Sequence, residues 1–210
     1  MIKLEIGDKK YKIPEGFDEL TLEDYCRIFF KLPKFDDNLD DIDRYRLTRE
    51  TEAIILSRLL GEGDDFCYSL PLNVYSVLRE RTKFIYDIDR IMKSSRAGIV
   101  IGKKFYSIPP FNEMSLRQYI DADVVLHEEE SNLQYIELLS ILLSTKDDRG
   151  KWIPYNGEYQ ELMGKVRSLK CSEALGLVYH FFKKGEVLRR LSEASMKVVE
   201  SQHHQHIPNS

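Results

Sequence analysis

The sequence predicts a mainly helical α+β protein made of two related units, each a small β-hairpin followed by helices. Three observations predict it. A block near the N-terminus recurs in mid-chain. Both copies hold short apolar–polar alternation around a glycine turn. Most of the remaining chain carries apolar residues at helical spacing. The block Ile6-Gly-Asp-Lys-Lys-Tyr-Lys-Ile-Pro-Glu-Gly-Phe-Asp-Glu-Leu-Thr-Leu-Glu-Asp-Tyr25 returns as Ile101-Gly-Lys-Lys-Phe-Tyr-Ser-Ile-Pro-Pro-Phe-Asn-Glu-Met-Ser-Leu-Arg-Gln-Tyr119. With one gap at Gly16, about ten of nineteen aligned positions are identical. The units are therefore placed at 1–95 and 96–202, joined near Ser94–Gly98, with 203–210 as a disordered tail.

Each element has a local reason. Leu4-Glu-Ile6 and Tyr11-Lys-Ile13 alternate in the way a half-buried strand does, and Gly7-Asp-Lys-Lys10 between them signals a hairpin turn. Pro14 and Pro109 end the second strands, because proline cannot donate to a ladder. Thr21 with Asp24, and Ser115 with Gln118, are N-cap patterns close to a capping box. A helix is expected after each, with Leu22, Tyr25 and Phe29 facing inward in the first copy and Leu116, Tyr119 and Ile120 in the second. Tyr25 and Tyr119 are expected in equivalent half-buried places, as are Phe17 and Phe111. Helices are predicted over Ile42–Leu60, ended by Gly61-Glu-Gly63, and over Pro71–Met92. In the second unit they are predicted over 131–143, 158–169, 173–182 and 186–199, with Asp147–Pro154 as a loop or small hairpin.

Composition bounds the function. The 210 residues carry 31 Lys and Arg against 35 Asp and Glu, a net charge of −4. That mild acidity argues against a dedicated nucleic-acid binder. No apolar run approaches the ~20 residues of a membrane span, and the N-terminus lacks a signal-peptide core. Cys26, Cys67 and Cys171 are far apart and odd in number, which suggests reduced thiols in a cytosolic compartment.

Catalytic and cofactor motifs are sparse. The sequence holds no phosphate-loop or dinucleotide glycine motif, no nucleophile elbow and no zinc helix, so no cofactor is expected. The acidic run Asp36–Asp43 lacks the glycine and distal Glu of a calcium loop and reads as solvated charge, as do Asp147 and Asp148. His203, His204 and His206 crowd the tail, where weak metal binding is outweighed by a floppy surface segment. Lys170 beside Cys171 would lower a thiol pKa, but a buried or idle thiol is the simpler reading. Lys183, Lys184, Arg189 and Arg190 form a basic segment after His180-Phe-Phe182; Glu186 and Glu193 interrupt it, so a solvated helix face outweighs a phosphate or nucleic-acid contact, and these four are the partner-binding candidates. Of the 12 tyrosines and 10 phenylalanines some must be core, and a surplus on helical surfaces would favour a binding protein.

The order of elements in residues 1–95 resembles tail-assembly chaperones and related small virion-assembly proteins of tailed bacteriophages. The resemblance rests on Leu20-Thr-Leu-Glu-Asp-Tyr25, then Ile54-Ile-Leu-Ser-Arg-Leu-Leu-Gly61, Asp64-Asp-Phe66, and Leu70-Pro-Leu-Asn-Val-Tyr75 opening a helix. It implies a non-catalytic protein-interaction component of phage assembly, either a chaperone or a connector, tail or baseplate component. Its partners would be other phage proteins in an oligomer or larger assembly. It would act in the host cytoplasm or stay in the virion. Two similar units would present two similar faces. The alternatives are an enzyme whose site gathers scattered residues such as Asp40, His127, Glu128 and His180, or nucleic-acid binding through the basic C-terminal helix.

Overall fold

The computed structural model describes residues 1–34, 36, 38–87, 96–128 and 131–183. It is an α+β protein with two antiparallel two-stranded hairpins, each followed by helices. Strands β1 (Ile2–Ile6) and β2 (Lys9–Ile13) pair from Ile2↔Ile13 to Ile6↔Lys9. Strands β3 (Gly98–Ile101) and β4 (Lys104–Ser107) pair from Gly98↔Ser107 to Ile101↔Lys104. The two loops are the same device. Gly7 and Gly102 take φ of 59° and 64° at the first position of a two-residue turn, the place that II′-class hairpins reserve for glycine.

In the first unit α1 (Leu22–Phe29) starts on a complete capping box. Thr21 Oγ1 accepts from the Asp24 N–H, and the Asp24 carboxylate accepts from the Thr21 N–H. Helix α2 (Asp41–Leu59) is capped by Asp40, and α3 (Leu72–Arg81) follows Pro71. The long helix expected through Met92 stops at Arg81. Thr82 turns its hydroxyl back to the Leu78 carbonyl, and the chain continues as a 3-10 turn over Lys83–Tyr86. Such back-bonding by threonine competes with helix continuation. Residues 88–92 of that expectation, and the helix expected at 186–199, lie outside the described residues.

The second unit adds α4 (Leu116–His127), α5 (Gln134–Leu142), α6 (Gln160–Val166) and a helix over 171–183, α7. Ile136, Leu138, Leu139, Ile141 and Leu142 of α5 are all fully buried. A helix with so many buried apolar residues belongs in the middle of a core, and α5 packs against α4, α6 and α1. Its reach to α1 joins the two units. Buried residues from both, Ile13 and Leu22 with Leu139 and Leu177, form one hydrophobic cluster. Tyr25 stacks on Phe29 at 4.4 Å between ring centroids and meets Tyr135 edge-on at 6.0 Å. The Asp147–Pro154 stretch is a small hairpin, bridged at Lys146↔Trp152 and laid on the edge of β4 through the Ser107–Ser144 pair.

The inward face expected for α4 is overturned. Leu116, Tyr119 and Ile120 point to solvent, while Gln118, Ala122 and Val125 face the core. Gln118 explains the rotation. Its N–H still bonds the Ser115 hydroxyl, so the cap forms, but its side chain does not return to close a box. The amide instead donates to the Ile141 and Leu142 carbonyls and the Ser144 hydroxyl, at 2.7, 3.3 and 3.1 Å. These are the loose carbonyls near the end of α5, so a buried glutamine caps a second helix from the side. The matched burial expected for the aromatic pairs fails with it. Tyr25 is half-buried and Tyr119 exposed; Phe17 is buried and Phe111 half-buried.

Candidate interaction surface

The rotated helix leaves an apolar stripe in water. Leu116 is 74% exposed, Ile120 49% and Val124 54%, spaced four residues apart along one face of α4, with Tyr119 beside them at 47%. At the matching place in the first copy Leu22 is 0% exposed. The first turn of α1 is covered by the segment leading into α7. Leu22 N–H bonds the Leu169 carbonyl, Glu23 N–H the Arg167 carbonyl, and Cys171 N–H the Leu20 carbonyl, at 2.9, 3.1 and 2.8 Å. Among the described residues no segment crosses the first turn of α4 in that way.

An aromatic run extends this surface. Tyr119 lies 6.5 Å from Phe111, Phe111 stacks on Phe181 at 5.3 Å, and Phe181 meets exposed Phe182 at 5.5 Å. Exposed Lys183 follows; Lys184, Arg189 and Arg190, the other residues of the expected basic patch, lie outside the described residues.

The hairpins differ in the same sense. In the first, the outward pair Glu5↔Lys10 is charged and 4.0 Å apart. Its counterpart in the second is Val100↔Phe105, both mostly exposed. The Phe105 ring lies over Gly98, where any side chain would meet it. Phe105 also lines an open cleft of about 750 Å³ with Trp152 and Ile153, and Lys146 sits 4.7 Å from the Trp152 ring. The first unit also exposes apolar residues, among them Ile42 and Tyr45 on α2 and Leu72 and Val77 on α3, and Arg49 stacks over Tyr45 at 4.9 Å.

A second cleft, of about 460 Å³, opens between the β3–β4 turn and α6. It is lined by Lys103, Lys104 and Lys165 against Glu158 and Glu161, and Lys165 is held by Glu161 at 3.0 Å. Of the residues named for a scattered catalytic site, Asp40 caps α2 and His127 bonds the Asp123 carbonyl at 2.8 Å, while Glu128 follows α4 and His180 lies on α7. Burial pushes the Cys26 thiol up to about 11 and raises Cys67 and Cys171 too, the reverse of activation. Among the described residues no three His, Cys, Asp or Glu side chains are placed to hold a metal. Nor is any described helix long and apolar enough to cross a membrane.

One buried charge cluster stands apart from this surface. Glu52 is buried on α2 and accepts from Arg49, Arg79 and Tyr75 at 2.7, 2.6 and 3.1 Å. Burial alone would raise its pKa, but these three donors outweigh burial and hold it below the usual carboxylate value. The network ties α3 to α2 and is spent on packing.

No family model, curated protein or solved structure matches this chain.

Proposed function

We propose that the chain is a non-catalytic protein-interaction component of bacteriophage assembly, acting as a tail-assembly chaperone or as a connector, tail or baseplate component. The observation that carries the interaction half of this reading is the α4 stripe. A duplicated helix keeps its first-turn leucine and the following tyrosine in both copies, yet only the first copy buries the leucine. Contiguous exposed apolar surface on a folded chain marks a contact site more often than a decoration. The phage half rests on the order of elements in residues 1–95. The host cytoplasm would be the site of action, and other assembly proteins the partners.

Quantitative mass spectrometry of purified particles and of the producing lysate tests the proposal. Stoichiometric copies in particles make the chain a virion component. Absence from particles, with co-purification on tail intermediates, makes it a chaperone. Absence from both overturns the assembly reading.

A further inference from the structure

We propose that the α4 stripe binds a second copy of this chain, helix against antiparallel helix, about a two-fold axis at Ile120. The proposal rests on reading α4 as the interaction surface and names its partner.

The stripe is self-complementary in size. At about 100° per residue, Leu116, Ile120 and Val124 project to one side of α4. Under a two-fold axis at Ile120, Leu116 of one copy meets Val124 of the other, and Ile120 meets itself. Such an interface is isologous, so one surface serves both partners.

Charge selects the antiparallel arrangement. One flank of the stripe carries Arg117 and Asp121, and the other carries Tyr119 and Asp123. Antiparallel helices bring like flanks together, so Arg117 faces Asp121 of the second copy, twice by symmetry. On the other flank the Tyr119 hydroxyl reaches Asp123 of the second copy. A parallel pair would join opposite flanks, setting Arg117 beside Tyr119 and about 9 Å along the axis from Asp123, so Arg117 would meet no carboxylate of the second copy, and would align the two helix dipoles unfavourably.

Arg117 is already placed for this contact. Its guanidinium lies over Gly157, which takes φ +88° and leaves no room there for a side chain. It stands 3.9 Å from Asp121, a weak pairing that leaves the Arg117 side chain 65% exposed. Asp121 is fixed in turn by the Tyr155 hydroxyl, which donates to it at 2.9 Å. A pre-set donor beside a pre-set acceptor loses little freedom on docking. An unrelated partner would need no such reversal of sign along the flank; a second copy does.

One helix face buries less than the ~1,600 Å² of a standard complex, so dissociation in roughly the micromolar range is expected. Sedimentation equilibrium of the full chain, titrated through that range, reads it directly. The mass should double. Ile120→Glu and Arg117→Asp should each weaken association about tenfold or more, with thermal melts close to wild type when measured well below the dissociation constant, where every chain is monomeric and both sites are exposed. Arg117→Asp combined with Asp121→Arg should restore it to within about threefold. A wild-type chain that stays monomeric overturns the pairing, while the particle assay above decides the assembly role separately. A dimer indifferent to Ile120→Glu overturns it as well, since association then uses another surface. Rescue of Arg117→Asp by Asp123→Arg instead of Asp121→Arg overturns the antiparallel geometry.

Discussion

Leu22 and Leu116 occupy the same place in the two copies, one residue after a hydroxyl N-cap, yet the first is sealed in the core and the second stands in water. The cap is not the cause, since Thr21 and Ser115 both bond the N–H three residues on. What differs is the third residue of each helix. Asp24 turns back to the Thr21 N–H and stays at the surface end of its helix. Gln118 reaches inward to the end of α5 and takes the buried side of α4 with it. The inward reach of Gln118, together with the 167–171 segment that covers only the first copy, goes with the change in which face of the duplicated helix is core.

The sharpest way to break this comparison is truncation of the matched leucines. Leu22→Ala should destabilise by about 3 kcal/mol, in the range of buried Leu→Ala changes, and Leu116→Ala by less than about 0.5 kcal/mol. The matched tyrosines should follow. Tyr25→Ala should remove about 3 kcal/mol through its stack on Phe29 and its contacts with Phe17 and Tyr135, while Tyr119→Ala stays near wild type. Urea titration of the four variants measures this. Equal losses within either pair would mean that α4 buries the same face as α1.

Two carboxylates should separate the units by pH. Glu52 binds its proton less readily folded than unfolded, so its contribution is complete above the ordinary carboxylate range and is lost as pH falls through its folded pKa. Glu52→Gln should therefore cost about 2 kcal/mol at neutral pH, the scale of hydrogen bonds to a charged group, and progressively less in acid. Glu137 on α5 behaves oppositely. Burial, and then the Glu128 charge, raise its pKa. The folded state favours its protonated form, so the stabilisation is present below the unfolded pKa and is lost as pH rises through the folded one. Glu137→Gln should be neutral to stabilising at pH 7 and silent in acid. Stability curves of both variants against pH give the check; parallel curves would remove the distinction.

Much of this architecture was legible in the residues. The duplicated hairpins followed from alternation, from the paired Gly7 and Gly102, and from the prolines after them. Helix α2 followed from the spacing of its apolar residues, but its Asp40 cap did not, because the acidic run Asp36–Asp43 reads only as solvated charge. The facing of α4 was not legible, because Leu116, Tyr119 and Ile120 read by repeat as core, and Gln118 reads as a surface capping residue unless its distant acceptors, the Ile141 and Leu142 carbonyls, are known. That contact spans more than twenty residues and leaves no local pattern. The one available signal lay in the repeat itself, where Asp24 became Gln118 and Glu5-Lys10 became Val100-Phe105. Substitution between copies marks where their surroundings part, and the outward pair of the second hairpin could have been found that way.

That outward pair supports the smallest and most selective test. Val100→Glu with Phe105→Lys gives the second hairpin the charged pair that Glu5 and Lys10 form in the first. Both side chains are exposed, and surface ion pairs contribute little, so stability should move by no more than about 0.5 kcal/mol in urea. Gly98 would lose the ring that lies over it, which is a loss of cover and not of core. The informative readout is association. If the Val100–Phe105 face is a second contact site, the double variant should leave dimerisation through α4 intact and reduce incorporation into particles or tail intermediates. If incorporation is unchanged while the α4 variants abolish it, α4 alone carries the interaction. A large loss of stability would mean instead that Phe105 is part of the core, and the contrast between a charged first hairpin and an adhesive second one would fall.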